Sequence, residues 1–134
     1  MKKVLVVVDY QNDFVDGALG FDRAKALENG IIRQVESVLS DGGCVFFTLD
    51  THTENYLTTR EGKNLPILHC IKNTPGHKLY GGLDKFMGRN GVRMVEKSCF
   101  GSFALAEMIK SAVGIPDSIQ LCGVVTNMLS LIHI

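Results

Sequence analysis

Five apolar residues, Val4 to Val8, four of them β-branched, run without a break into Asp9. A run that does not alternate with polar residues has apolar neighbours on both faces, the environment of a strand in the middle of a parallel sheet. Cys44 to Leu49 repeats the pattern and runs into Asp50. Between them, Leu27, Ile31, Ile32, Val35, Val38 and Leu39 fall at helical spacing. The spacing predicts a helix over Ala24–Ser40, weakened in its first half by Gly30 and ended by Gly42 and Gly43. Strand, helix and strand in this order make a right-handed βαβ unit with parallel pairing. In such sheets chemistry sits outside the carboxyl ends of the strands. Asp9 taken alone reads equally well as the cap of a turn.

The later segments extend the same sheet. Val92 to Val95 predicts a third strand ending at Glu96-Lys97. Ser102 is placed to N-cap a helix carrying Leu105, Ile109 and Val113 on one face. Ser118 to Cys122 predicts a fourth strand running into Gly123 to Asn127. Thr51 to Gly91 is polar and irregular, with a short helix expected at Leu83–Met87. A loop of that length inside a compact chain is functional more often than filler. The 134 residues are enough for one domain, 1–134. Fourteen basic residues balance fourteen acidic ones, which argues against a nucleic-acid or anionic-membrane partner. Cys44, Cys70, Cys99 and Cys122 form no CxxC pair; they read as reduced thiols in a cytoplasmic protein. No stretch reaches the length of a membrane span.

The four strands are thus expected to end at Asp9, Asp50, Lys97 and Gly123, all on one edge of a parallel sheet. Asp9 with Lys97 suggests an acid/base pair, the alternative being a structural salt bridge. Asp50 and His52 alternate on one side of a strand end. With Glu61 and His69 from the loop they are a candidate site for zinc, manganese or iron, the alternative being solvated loop histidines. His77 and His133 read as loop and tail residues. Gly123 to Met128 can present backbone N–H groups to an oxyanion, or simply end a strand.

With these residues in place, the chain resembles the isochorismatase-like cysteine hydrolases, the superfamily that contains the nicotinamidases. The matching pieces come in family order. They are Val4 to Phe14 with its DxQNDF pattern, Asp50-Thr51-His52, Leu65-Pro66 followed by His69-Cys70, and Asn73 to Gly76. Then follow Glu96-Lys97-Ser98 with Phe100 and Ser102-Phe103, and Gly123 to Met128. The resemblance implies a three-layer α/β/α fold around a parallel sheet. It implies an Asp-Lys-Cys triad, with Asp9 the base and Lys97 the lysine. It implies metal ligands at Asp50, His52 and His69, with Glu61 a fourth and zinc the expected ion. Phe14 matches an aromatic residue of the substrate pocket. A cis peptide within the oxyanion turn falls at Val124–Val125. The expected substrate is a small amide, hydrolysed through a thioester; ether hydrolysis of the isochorismatase kind is also known in the superfamily.

One departure matters. The position of the nucleophilic cysteine holds Leu129, and a leucine cannot attack a carbonyl. The match is good to Met128, and Leu129–Ile134 depart from the family, so the sequence reads as a fragment truncated at its C-terminus. The expectation is a fragment of a cysteine amidohydrolase that performs no covalent catalysis itself. The alternative is a catalytically inactive metal-binding or interaction protein of the same fold. A signalling receiver-like domain fits Asp9, Asp50 and Lys97 crudely, but leaves His52, Glu61 and His69 unexplained. Which amide the parent cleaves, and whether it forms a homo-oligomer, the sequence leaves open.

Overall fold

In the computed structural model of the chain, residues 3–17, 20, 22–64, 66–97 and 103–123 are described. The elements run β1 (Lys3–Val8), α1 (Asn12–Val15), α2 (Asp22–Ala26), α3 (Glu28–Ser40), β2 (Cys44–Asp50), α4 (Arg60–Asn64), β3 (Val92–Lys97), α5 (Phe103–Val113) and β4 (Ser118–Gly123). Single 3-10 turns occur at Tyr56–Thr58 and Pro75–His77, and a longer one at Gly81–Phe86. The four strands pair in parallel in the order β3-β2-β1-β4, so β1 and β2 are the inner strands.

The unbroken apolar run of β1 is explained by what covers each face. Leu5 and Val7 pack with Val45 and Phe47 of β2 and with Ile31, Val35 and Val38 of α3. Val4, Val6 and Val8 pack the other way, with Phe46, Val95 and Ile109 of α5. Every one of the five is at most 1% exposed. At about 1.5–3 kcal/mol per buried aliphatic side chain, both faces contribute to holding this strand in place. The result is the three-layer α/β/α arrangement. Among the described residues no helix is long and apolar enough to cross a membrane.

The helix expected over Ala24–Ser40 is in fact two, α2 and α3, joined at Leu27. Leu27 keeps helical backbone angles but is 41% exposed rather than part of the buried face. The interruption has a visible cause. In a continuous helix the Ala24 carbonyl would accept from the N–H four residues on. Here it accepts from the Tyr10 hydroxyl and from the Leu27 N–H. Gly30, the expected weak point, sits inside α3 without disturbing it. At the far end of the sheet, Gly123 pairs with Val8 at φ +129. A Cβ there would lie 2.2 Å from the Val8 carbonyl oxygen, so only glycine lets β4 approach the end of β1 this closely.

Candidate functional site

The carboxyl ends of β1 and β2 carry two buried aspartates. Asp9 leaves β1 with φ +50, a left-handed conformation that Asp tolerates better than most residues. The kink points the chain out of the sheet. Asp9 and Thr48 then form a reciprocal pair. The Thr48 hydroxyl donates to Asp9 Oδ1 at 2.6 Å and accepts the Asp9 N–H at 3.1 Å.

Asp50 stays in the strand and lies in register with Lys97 at the end of β3. Two residues on, His52 returns to the same side and brings Nε2 to 2.9 Å from Asp50 Oδ2. The long loop then comes back alongside. His52 bridges Ile71 in parallel, its N–H donating to the Cys70 carbonyl and its carbonyl accepting from Lys72. That pairing delivers His69, whose Nε2 stands 3.4 Å from the same Asp50 oxygen. All three residues are buried, and their donor atoms lie within 4.8 Å of one another.

The donor set fits a divalent cation. The His69 Nδ1–H donates to the Ile67 carbonyl at 2.7 Å, which fixes the tautomer and leaves Nε2 as the coordinating atom, the usual arrangement of a metal-bound imidazole. Two imidazole nitrogens and a carboxylate oxygen are the ligand chemistry of zinc and its neighbours. A tetrahedral ion with bonds of about 2.1 Å separates its ligand atoms by about 3.4 Å, and the His69 nitrogen stands 3.4 Å from the Asp50 oxygen. Aromatic rings wall the group in. Tyr56 packs on His52 and His69 with centroids 4.4 and 5.0 Å away, and Phe14 of α1 meets His69 edge-on at 5.4 Å.

The structure therefore brings together Asp50, His52, His69 and Phe14, with Asp9 on the neighbouring strand end. Lys97 has its backbone at the matching edge of β3, and Glu61 has its backbone in α4; their side chains lie outside the described residues. Val124, Val125 and Leu129 lie outside them as well, and so does the cis peptide expected there. Burial pushes the Cys122 thiol up to about 11.

Sequence reasoning missed what the rest of the β1 exit does. Each side chain from Asp9 to Asp13 stitches the turn to a different place. After Asp9 to Thr48, Tyr10 donates to the Ala24 carbonyl. Gln11 accepts the Asp50 N–H at 2.8 Å and donates to the carbonyls of Asp50 and His77 at 3.0 and 2.7 Å. Asn12 donates to the Pro75 carbonyl at 2.8 Å, and Asp13 accepts the Cys70 N–H at 2.8 Å. The signal was there: a polar run directly after a buried strand must find partners once it is buried. His77, set aside as a plain loop residue, has its ring 2.8 Å from the Thr51 hydroxyl at the rim of the group. Burial holds its pKa below the ordinary imidazole value.

Known proteins share this fold. The family model of the isochorismatase domain matches residues 3–129. The chain is 31% identical, over 136 aligned positions, to the uncharacterized isochorismatase family protein PncA of Bacillus subtilis (strain 168); the match covers 96% of this chain and 74% of that protein. Its fold is similar to the crystal structure of a pyrazinamidase/nicotinamidase from Streptococcus mutans UA159, with a TM-score of 0.82 and 29% identity. That superposition covers 98% of this chain and 83% of the other. A pyrazinamidase of Pyrococcus horikoshii, solved in complex with zinc, superposes with a TM-score of 0.78 at 26% identity, covering 94% and 72%.

Proposed function

The chain belongs to the isochorismatase family, and we propose that its strand-end edge is the reaction site of a cysteine amidohydrolase of the nicotinamidase kind, with Leu129 standing at the nucleophile's position. The observation that carries the reading is the placement of buried Asp9 and the buried Asp50-His52-His69 group on adjacent ends of one parallel sheet. The names of the similar proteins, a pyrazinamidase/nicotinamidase and a zinc-bound pyrazinamidase, support it.

In this reading Asp9 is the base that takes the proton of a thiol at position 129, and Lys97 stabilises the resulting thiolate. The thiolate attacks the carbonyl of a small amide, ammonia or an amine leaves, and water cleaves the thioester. The N–H groups around Val124 and Val125 receive the oxyanion. Phe14 lines the pocket beside the imidazoles. Asp50, His52 and His69, with Glu61, would hold a divalent metal, zinc in this reading, which when bound would orient a substrate ring or a water. The 134 residues act as one domain, and the free thiols of Cys44 and Cys122 fit a cytoplasmic setting. With Leu129 in place, Asp9 has no thiol to deprotonate and the thioester does not form.

Leu129 also favours a second reading, a catalytically inactive metal-binding protein of the same fold. Zinc binding by native mass spectrometry, together with ammonia release from nicotinamide and pyrazinamide, separates the two. The chain is expected to bind zinc and release no ammonia, while Leu129→Cys forms an acyl adduct or turns over. Ammonia release by the unaltered chain at an enzymatic rate would refute the role given to position 129. Zinc binding with an inert Leu129→Cys variant would leave the second reading standing.

A further inference from the structure

We infer that Gln11 and Asp13 are positioning residues for the metal centre, each fixing the backbone of a different ligand-bearing segment. The inference rests on the metal reading above. The ligands come from two stretches, the end of β2 with Asp50 and His52 and the returning loop with His69. Each stretch needs an anchor that does not depend on the metal.

Gln11 supplies the first. It is fully buried, and all its hydrogen-bonding capacity toward these segments is directed. Its carbonyl oxygen takes the Asp50 N–H, and its two amide hydrogens go to the carbonyls of Asp50 and His77. The Asp50 peptide is thus held from both sides by one side chain, and the Pro75–His77 turn is tied to it.

Asp13 supplies the second. Its Oδ2 accepts the N–H of Cys70, the residue after His69. Cys70 sits at φ +49, a conformation that persists in a non-glycine residue only where its surroundings hold it. Gly76 leaves the room that Asp13 needs. A Cβ at Gly76 would meet the Asp13 carboxylate at 2.1–2.5 Å. Because the nearest atoms are the end of a mobile side chain, an alanine there would displace the carboxylate rather than the backbone. Asn12 completes the arrangement by holding the Pro75 carbonyl just before Gly76.

The test compares zinc affinity, by competition with a chromogenic chelator, in the full 134-residue chain and in Gln11→Met, Asp13→Ala, Asp13→Asn and Gly76→Ala. The absorption spectrum of the cobalt(II) form is recorded alongside, as is the urea stability of the metal-free chain. Loss of a residue that orients a ligand weakens metal binding by about 10–100-fold. That loss is expected for Gln11→Met and Asp13→Ala, with an altered cobalt spectrum. Asp13→Asn keeps an acceptor for the Cys70 N–H and stays near the unaltered chain. Gly76→Ala behaves like Asp13→Ala, and the double variant binds no more weakly than Asp13→Ala alone, since both act through one contact. Lower metal-free stability with unchanged zinc affinity and spectrum would overturn the inference and leave a purely structural role. Should Gln11→Met fail to fold, the Asp13 and Gly76 variants decide the matter. An unaltered chain that binds no zinc would refute the metal reading itself, a different result from one that binds it equally with and without these side chains.

Discussion

Asp9 follows β1 and Asp50 ends β2, adjacent parallel strands in which Val8, the last residue of β1, pairs with Thr48, and both carboxylates are buried. Their surroundings differ. Asp9 turns out of the sheet through a left-handed residue and settles on the hydroxyl of Thr48. Asp50 continues in the strand, so the side-chain period of two returns His52 to the same side, and one carboxylate oxygen is shared by two imidazoles. Two buried imidazole nitrogens converging with a carboxylate oxygen are a donor set that one metal ion could share. The backbone direction at the strand end therefore decides which chemistry an identical residue can take up.

The largest test of that contrast is metal affinity. Asp50→Asn removes a ligand and should weaken zinc binding by more than the about 10–100-fold typical of an orienting residue. Asp9→Asn should leave it unchanged. Chelator competition on both variants reads the difference, and equal losses would mean that the two aspartates serve one centre. Thr48→Val sharpens the comparison from the other side. It removes both hydrogen bonds that tie the Thr48 side chain to Asp9, and should cost about 1–3 kcal/mol in urea unfolding. Zinc affinity should not move, and Thr48→Ser should restore most of the stability. A Thr48→Val variant that loses zinc would couple the two strand ends.

The same contrast separates what the sequence made legible from what it did not. The strands could be read because burial on both faces leaves an apolar run, as in Val4–Val8, and because an acid at each end breaks it. The Asp50-x-His52 pair could be read because its geometry is local. The stitching by Tyr10, Gln11, Asn12 and Asp13 could not. Its partners at Ala24, Asp50, Cys70, Pro75 and His77 are up to 66 residues away, and a long-range hydrogen bond leaves no period in the sequence. The break at Leu27 was hidden for the same reason. Local spacing favours one helix, and the hydroxyl that claims the Ala24 carbonyl arrives from the end of β1. Tyr56 is a third case, since an aromatic residue in a polar loop does not announce that it will pack on two imidazoles.

The smallest effects near neutrality come from pH, and they fall on opposite sides of it for the two ends. At the β1 exit, burial, and then the neighbouring Glu28 and Tyr80, push the Tyr10 phenol up to about 12 from its ordinary 10. A raised pKa means that the fold favours the protonated phenol. Its contribution is complete below pH 10 and is lost as pH rises toward 12. The stability gap between the unaltered chain and Tyr10→Phe should thus be constant up to pH 10 and then close. At the rim of the Asp50 group, burial lowers the His77 pKa from 6.5, against a smaller raising effect of Glu96. The fold there favours the neutral ring, so its contribution is complete above pH 6.5 and is lost as pH falls through the lowered value. The Thr51 hydroxyl hydrogen donates to the Leu49 carbonyl, so the His77 Nε2–H donates to the Thr51 oxygen. His77→Gln should flatten the acid limb of the stability profile and leave the alkaline limb unchanged. Urea midpoints measured in chelator from pH 5 to 12 read both limbs. An acid limb that stays as steep in His77→Gln would mean that His77 does not set it.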